Sequence, residues 1–178
     1  MKKRGAICKA AIFVLLCVFF MCSCDRGGGI DYFAYTNSKF SVEIEGNIDN
    51  TAFSANAYYN PNAADGEVLA CIEYSAPQSL AGIVVNLYPD GSTSARLGEI
   101  VISGTDVTAM LEPVFIIVPK GNYSEIKKDG EDNILCKFSF SDGELVYTFD
   151  KGFKYPKKIE GRKREQGYLI KINSFAQK

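Results

Sequence analysis

Few residues in this chain could carry chemistry, and the first deciding fact is that its 178 residues include no histidine. That removes the usual general base near neutral pH, the Ser-His and Cys-His nucleophile pairs, and the commonest transition-metal ligand. Ser124-Glu125-Ile126-Lys127 has the Ser-x-x-Lys spacing of a lysine-activated serine. The companion elements of such a site are missing, however, and Ser124 reads as strand rather than as the start of a helix. Asp129-Gly130-Glu131-Asp132-Asn133 is acidic enough for a calcium loop. It lacks the alternating ligand positions and closing glutamate that bind calcium, so it reads as a hairpin turn. Glycoside hydrolysis needs two carboxylates facing across a cleft, and the acids here fall mostly on wet strand faces or in turns. The expectation is a protein that is not an enzyme, with no catalytic residue, no metal ligand and no cofactor.

Cys24 is the exception. Lys2, Lys3 and Arg4 give a basic start, Ala10 to Met21 is a short apolar core, and Met21-Cys22-Ser23-Cys24 closes it ahead of Asp25-Arg26-Gly27-Gly28-Gly29. The core falls short of the ~20 apolar residues that span a bilayer comfortably. A cysteine after such a core, with a small serine before it, resembles the lipobox of bacterial lipoproteins. The resemblance implies lipid attachment (palmitate) at Cys24, a signal peptide over 1–23, and a lipidated flexible tether over 24–38. It places the protein at the cell membrane, lipid-anchored on the extracytoplasmic face. The competing reading is an uncleaved anchor from Ala6 to Cys22, interrupted by Lys9.

The elements beyond the tether must explain the rest. With 47% hydrophobic and 23% charged residues, the chain can bury a core and is not disordered. Without the four basic residues of the leader, 16 basic and 21 acidic residues remain, a net charge of −5. That balance gives no electrostatic case for nucleic acid. Residues 25–118 carry three basic residues against twelve acidic ones, whereas 119–178 carry 13 against nine. Lys151, Lys154, Lys157, Lys158, Arg162, Lys163 and Arg164 crowd together, which reads first as a solvated hairpin and second as a contact for anionic lipid or an acidic partner.

Strand rhythm dominates from Lys39. Phe40, Val42 and Ile44 alternate with Ser41, Glu43 and Glu45, as do Phe53, Ala55 and Ala57 with Ser54 and Asn56, the mark of strands with one wet face. Further strands are read over 67–76, 82–88 and 95–103. The spacing of Val107, Met110, Leu111, Val114 and Ile117 then predicts one central helical segment, kinked or ended by Pro113. The apolar run Val114 to Val118 is ambiguous between helix and strand. Strands return over 123–128, 133–141, 144–150, 155–160 and 168–175. Cys71 shares a face with Glu73 while Cys136 falls in phase with Ile134 and Phe138, so strand phase argues against a bridge between them. The fold class is α+β: a single domain over 39–178 with one antiparallel sheet of about ten strands, which the family resemblance given below makes strongly curved and half-barrel-like.

The chain has 12 Phe, three of them in the leader, and 10 Tyr with no Trp, so the sheet either curls on itself or leaves a cavity for a greasy ligand. The order of elements, and above all Tyr147-Thr148-Phe149-Asp150, Tyr155-Pro156-Lys157-Lys158-Ile159 and Leu169-Ile170-Lys171-Ile172, resembles the LolA-like lipoprotein-carrier superfamily. Tyr74-Ser75-Ala76-Pro77 to Leu80-Ala81-Gly82 is a weaker echo. The resemblance implies an open half-barrel lidded by helices, although an amphipathic first helix is replaced here by 30–38. Two functions follow as expectations. One is binding of a hydrophobic small molecule, lipid or lipoprotein by Phe40, Val42, Phe53, Ile72, Tyr74, Phe138 and Phe140 on the inner face. The other is a non-catalytic structural or protein-interaction module at the cell surface with those residues packed in a filled core.

Overall fold

The computed structural model describes residues 31–178, except 104, 122, 131 and 153 and the side chains of 105 and 106. The expectations that fall on residues 1–30, including the signal peptide, the glycine run and Cys24, lie outside the described residues. Tyr32–Lys178 form one compact unit, and no helix among the described residues is long and apolar enough to cross a membrane.

Eleven strands make one antiparallel sheet: β1 Phe40–Ile48, β2 Thr51–Tyr59, β3 Ala70–Ala76, β4 Ile83–Leu87, β5 Thr93–Leu97, β6 Ile100–Ser103, β7 Glu125–Asp129, β8 Asn133–Phe140, β9 Gly143–Asp150, β10 Lys158–Lys163 and β11 Gln166–Gln177. Their spatial order is β6-β5-β4-β3-β2-β1-β11-β10-β9-β8-β7. The chain therefore steps outward from β1 to one edge. It then crosses through a helical segment to the opposite edge and steps back until β11 pairs with β1. The crossover is a 3-10 stretch, Thr105–Leu111, running into α1, Glu112–Ile117. This is the long antiparallel sheet with a central helical segment that the alternation implied, open and half-barrel-like as the resemblance implied, with one strand more than the ten read from sequence.

The extra strand comes from 95–103, which is a hairpin rather than a single strand. Gly98 turns it with φ +59°, and its apolar residues Leu97, Ile100, Val101 and Ile102 are all exposed. No change from buried to wet marks the reversal, so alternation alone runs straight through it. Pro113 also acts differently from a helix breaker, because it sits in the first turn of α1, where its missing N–H would have had no helical partner anyway. Of the ambiguous run Val114 to Val118, the first four residues belong to that helix and Val118 caps its end.

Curl is built in where strands approach closely. An ideal Cβ on Gly46 of β1 would lie 2.1 Å from the Leu169 carbonyl oxygen, and one on Gly161 of β10 would lie 2.1 Å from that of Glu144. Register shifts between β1 and β11 at Glu43/Ile44 and between β2 and β3 at Ser54/Ala55 add irregularities, and such bulges increase local twist. The curl turns Phe40, Val42, Ile44, Ala55, Ala57, Ile72, Val85, Phe138, Leu145, Tyr147, Phe149, Ile159 and Ile170 toward one interior, where all are buried.

Tyr32 to Ser38 belong to this domain rather than to a free tether. Ala34–Asn37 form a 3-10 turn with Tyr35 buried. Phe33 meets Phe138 at 4.9 Å and Tyr147 and Phe149 at 5.3 Å between ring centroids. Burying these rings outweighs the cost of ordering a few backbone residues. The segment lies against β8 and β9 on the inner face.

Candidate functional site

The inner face is organised around α1, and the strands present tyrosine hydroxyls to it. The last carbonyls of any helix lack intrahelical donors. Here Tyr35 donates its O–H to the Ile117 carbonyl at 2.6 Å, and Tyr147 donates to the Ile116 carbonyl at 2.7 Å. Tyr74 does the same for Met110 at 2.7 Å, just upstream. Leu111, Val114, Ile116 and Ile117 supply apolar packing beneath, and each is buried. Three hydroxyls from the N-terminal segment, β3 and β9 thus hold one short helical crossover across the sheet.

This arrangement decides where the seven candidate ligand residues lie. Phe40, Val42, Phe53, Ile72, Tyr74 and Phe138 are buried members of the core. Phe40 stacks on Phe175 at 5.2 Å, Phe53 meets Tyr74 at 6.3 Å, and Phe138 meets Tyr147 at 5.1 Å. Only Phe140 is half-buried and faces open space.

That space is a cavity of about 460 Å³ beside α1. Phe115, Ile116, Val118, Phe140, Leu145 and Tyr147 give it apolar walls, and Glu112, Lys120, Lys163 and Arg164 surround them with charge. Phe115 is the member of the Val114 to Ile117 run that is not buried, because the helical turn carries it away from the sheet. Lys163 reaches Glu112 at 3.6 Å and lies 5.3 Å from the centroid of the Phe140 ring. Arg164 contacts Asp142 at 3.3 Å. One wall is greasy and the other sets three cations against the single Glu112 carboxylate, a net positive combination suited to a molecule with a tail and an anionic end. The sequence singled out Phe140, Lys163 and Arg164 for separate reasons. It gave no sign that they meet, since that depends on where the helix crosses.

A second hollow of about 500 Å³, at the ends of the β1–β2 and β10–β11 hairpins, is lined by Asn47, Asp49, Asn50, Arg162 and Tyr168. Its acid is already used, because the Asp49 carboxylate accepts the Gly167 N–H at 2.7 Å and so ties the two hairpins together. Much of the basic cluster is likewise paired: Lys157 with Asp150, Lys158 with Glu160, and Lys163 and Arg164 as above. Pairing on a wet surface fits the solvated-hairpin reading and contributes little to stability.

Both body cysteines are free. Cys71 is half-buried, with its thiol pushed up to about 11 by burial and then by Glu73; buried Cys136 is pushed up to about 11 by desolvation. Desolvation also raises Tyr147 and Tyr35 well above the ordinary phenol value, with the Tyr147 charge adding to the effect on Tyr35. Each folded pKa exceeds its unfolded one, so the stability these groups contribute is complete below the unfolded value and lost as pH rises through the folded one. Unfolded thiols titrate near ~8.5 and phenols near ~10. With no histidine in the chain, urea midpoints are expected to stay level from about pH 6 to 8 and to fall from about pH 9 upward. A midpoint that rises between pH 8 and 10 would contradict these burials.

No protein-family model matches the chain, and no curated protein sequence matches it. Among solved structures it is similar to a DUF1329 family protein from Desulfovibrio piger, with 11% identity over 83% of this chain and 89% of that one and a TM-score of 0.46. It is also similar to a LolA superfamily protein from Nitrosomonas europaea, with 5% identity over 83% and 92% and a TM-score of 0.41. A domain assigned to outer membrane lipoprotein sorting from Vibrio parahaemolyticus gives 10% identity over 79% and 86%, with a TM-score of 0.41. At these identities the likeness is one of fold and carries no function with it.

Proposed function

We propose that this chain is a lipid-anchored, extracytoplasmic binding protein without catalytic activity, and that its ligand is a lipid-like amphiphile with an anionic end. The observation that carries the reading is the cavity beside α1. It is an apolar hollow bounded by Phe115, Phe140 and Leu145, with Lys120, Lys163 and Arg164 at its margin. Its volume of about 460 Å³ falls in the range of small-molecule sites and suits a single acyl chain better than a bundle of them. The acyl chain of another lipoprotein belongs to the same ligand class. The membrane anchor is Cys24 through its lipid.

Native mass spectrometry of residues 27–178 tests the binding. One lysophosphatidylglycerol per domain is the expected result, with neutral monoacylglycerol retained more weakly. Lys163→Glu with Arg164→Glu lowers affinity for the charged lipid at least fivefold and leaves the neutral one nearly unchanged. No uptake of either lipid would remove the proposal. The anchor is tested separately, since labelled palmitate incorporated by the native protein and lost in Cys24→Ala marks the acylated residue. Undiminished labelling in that variant would place the lipid elsewhere or point to another kind of anchor.

A second reading, an interaction module with a filled core, is favoured by the burial of six of the seven inner-face candidates. The two readings part at the cavity. An interaction module has no use for it.

A further inference from the structure

The two edges of the sheet are built differently. The β7 edge runs Glu125-Ile126-Lys127-Lys128-Asp129, and charges of this kind protect an edge strand from pairing with another chain. The β6 edge runs Ile100-Val101-Ile102-Ser103 with no charge at all. Ile100, Val101 and Ile102 are 64%, 62% and 58% exposed, so among the described residues this edge offers backbone groups that no further strand pairs, flanked by exposed apolar side chains. Their faces are not random. Ile102 pairs with buried Ala95, and Ile100 pairs with Leu97, so both continue the inner apolar face past its last covered residue. Val101 pairs with Arg96 on the outer face.

We infer that β6 is the docking edge for a second copy of this chain, paired antiparallel about a two-fold axis at Val101. In that register Val101 meets its own counterpart on the outer face, and each Ile100 meets the other copy's Ile102 on the inner face. Ser103 then falls opposite Glu99, so no like charges face each other and every apolar residue of the strand meets an apolar one. A two-fold axis perpendicular to the sheet keeps the inner faces of both copies on one side, so the apolar stripe left uncovered at Ile100 and Ile102 becomes continuous. The alternatives fit less well. Head-to-tail pairing of β6 with the β7 edge of another copy lays uncharged residues against Glu125, Lys127, Lys128 and Asp129. Insertion into lipid leaves the strand's free N–H and C=O groups without partners in hydrocarbon. The strand is only four residues long, so the association is of the weak, transient class and depends on concentration.

The test uses the full chain in membranes. Val101→Cys places thiols at directly opposed positions, where Cβ atoms lie within ~4.5–5.5 Å in an antiparallel pair and a disulfide can form. Under mild oxidation a band of twice the monomer mass is expected from Val101→Cys. The exposed β7-edge control Ile126→Cys gives at least fivefold less, and adding Ile102→Lys to Val101→Cys abolishes the band. In detergent solution, sedimentation of the native chain shows a monomer–dimer equilibrium that Ile102→Lys shifts at least tenfold toward monomer. Equal cross-linking from both edges, a cross-link to a chain of different mass, or a monomer at all concentrations overturns the inference.

Discussion

Replacing Gly161 by alanine is expected to destabilise the domain by about 3 kcal/mol or more, near the upper end of what overpacking costs. The added Cβ would sit 2.1 Å from the Glu144 carbonyl oxygen and 3.0 Å from the Leu145 Cα, at a residue whose φ is +145°. Both obstacles are backbone, so relief requires β9 and β10 to move apart and give up ladder hydrogen bonds. The same substitution at Gly91 isolates the dihedral term. Its φ is +83° and an added Cβ meets nothing within 4 Å, so Gly91→Ala costs only about 1–2 kcal/mol. Urea unfolding with an unchanged m-value measures both. Equal costs at the two sites would show that the close approach of β9 and β10 is not what Gly161 permits.

Removing the hydroxyls that hold α1 is the second large effect. Tyr147→Phe and Tyr35→Phe keep ring packing and delete one donor each, leaving the carbonyls of Ile116 and Ile117 without the hydroxyls they accept in the native protein. A buried polar group stripped of its partner costs about 1–3 kcal/mol, and both tyrosines are buried. Tyr123→Phe is the control, since Tyr123 is exposed and surface changes stay within ~0.5 kcal/mol. The two carbonyls are adjacent in one helical turn, so the double variant should depart from additivity. A loss no larger than that of Tyr123→Phe would mean that α1 is held by apolar packing alone.

Much of the fold was legible because one wet face makes strands announce themselves. Ser41, Glu43 and Glu45 against Phe40, Val42 and Ile44 fix β1, and Tyr147 and Phe149 keep phase with Leu145 in β9. The same logic placed Cys71 and Cys136 on opposite faces, and they are free. It failed where both faces are alike: β5 and β6 read as one strand because their shared turn changes nothing in the pattern. It also gave no warning that Tyr32, Phe33 and Tyr35 pack inward, because their partners Phe138, Tyr147 and Phe149 lie more than a hundred residues away in sequence.

The candidate site was less legible for a related reason. Inner-face alternation identifies residues that leave water, and it does not say what covers them. Phe40, Val42, Phe53, Ile72, Tyr74 and Phe138 are covered by the protein itself. Of the seven candidates, half-buried Phe140 borders the hollow beside α1, where it meets Lys163 and Phe115, whose direction depends on whether 114–117 is helix or strand. No local pattern encodes that meeting.

Methyl-resolved NMR of residues 27–178 titrated with lysophosphatidylglycerol tests the central claim most directly. Resonances of Ile116, Val118 and Leu145 should shift in proportion to one bound lipid, while those of Ile44, Ile72 and Val85 on the covered part of the inner face stay in place. Shifts centred on Ile44, Ile72 and Val85, or none at saturating lipid, would contradict it.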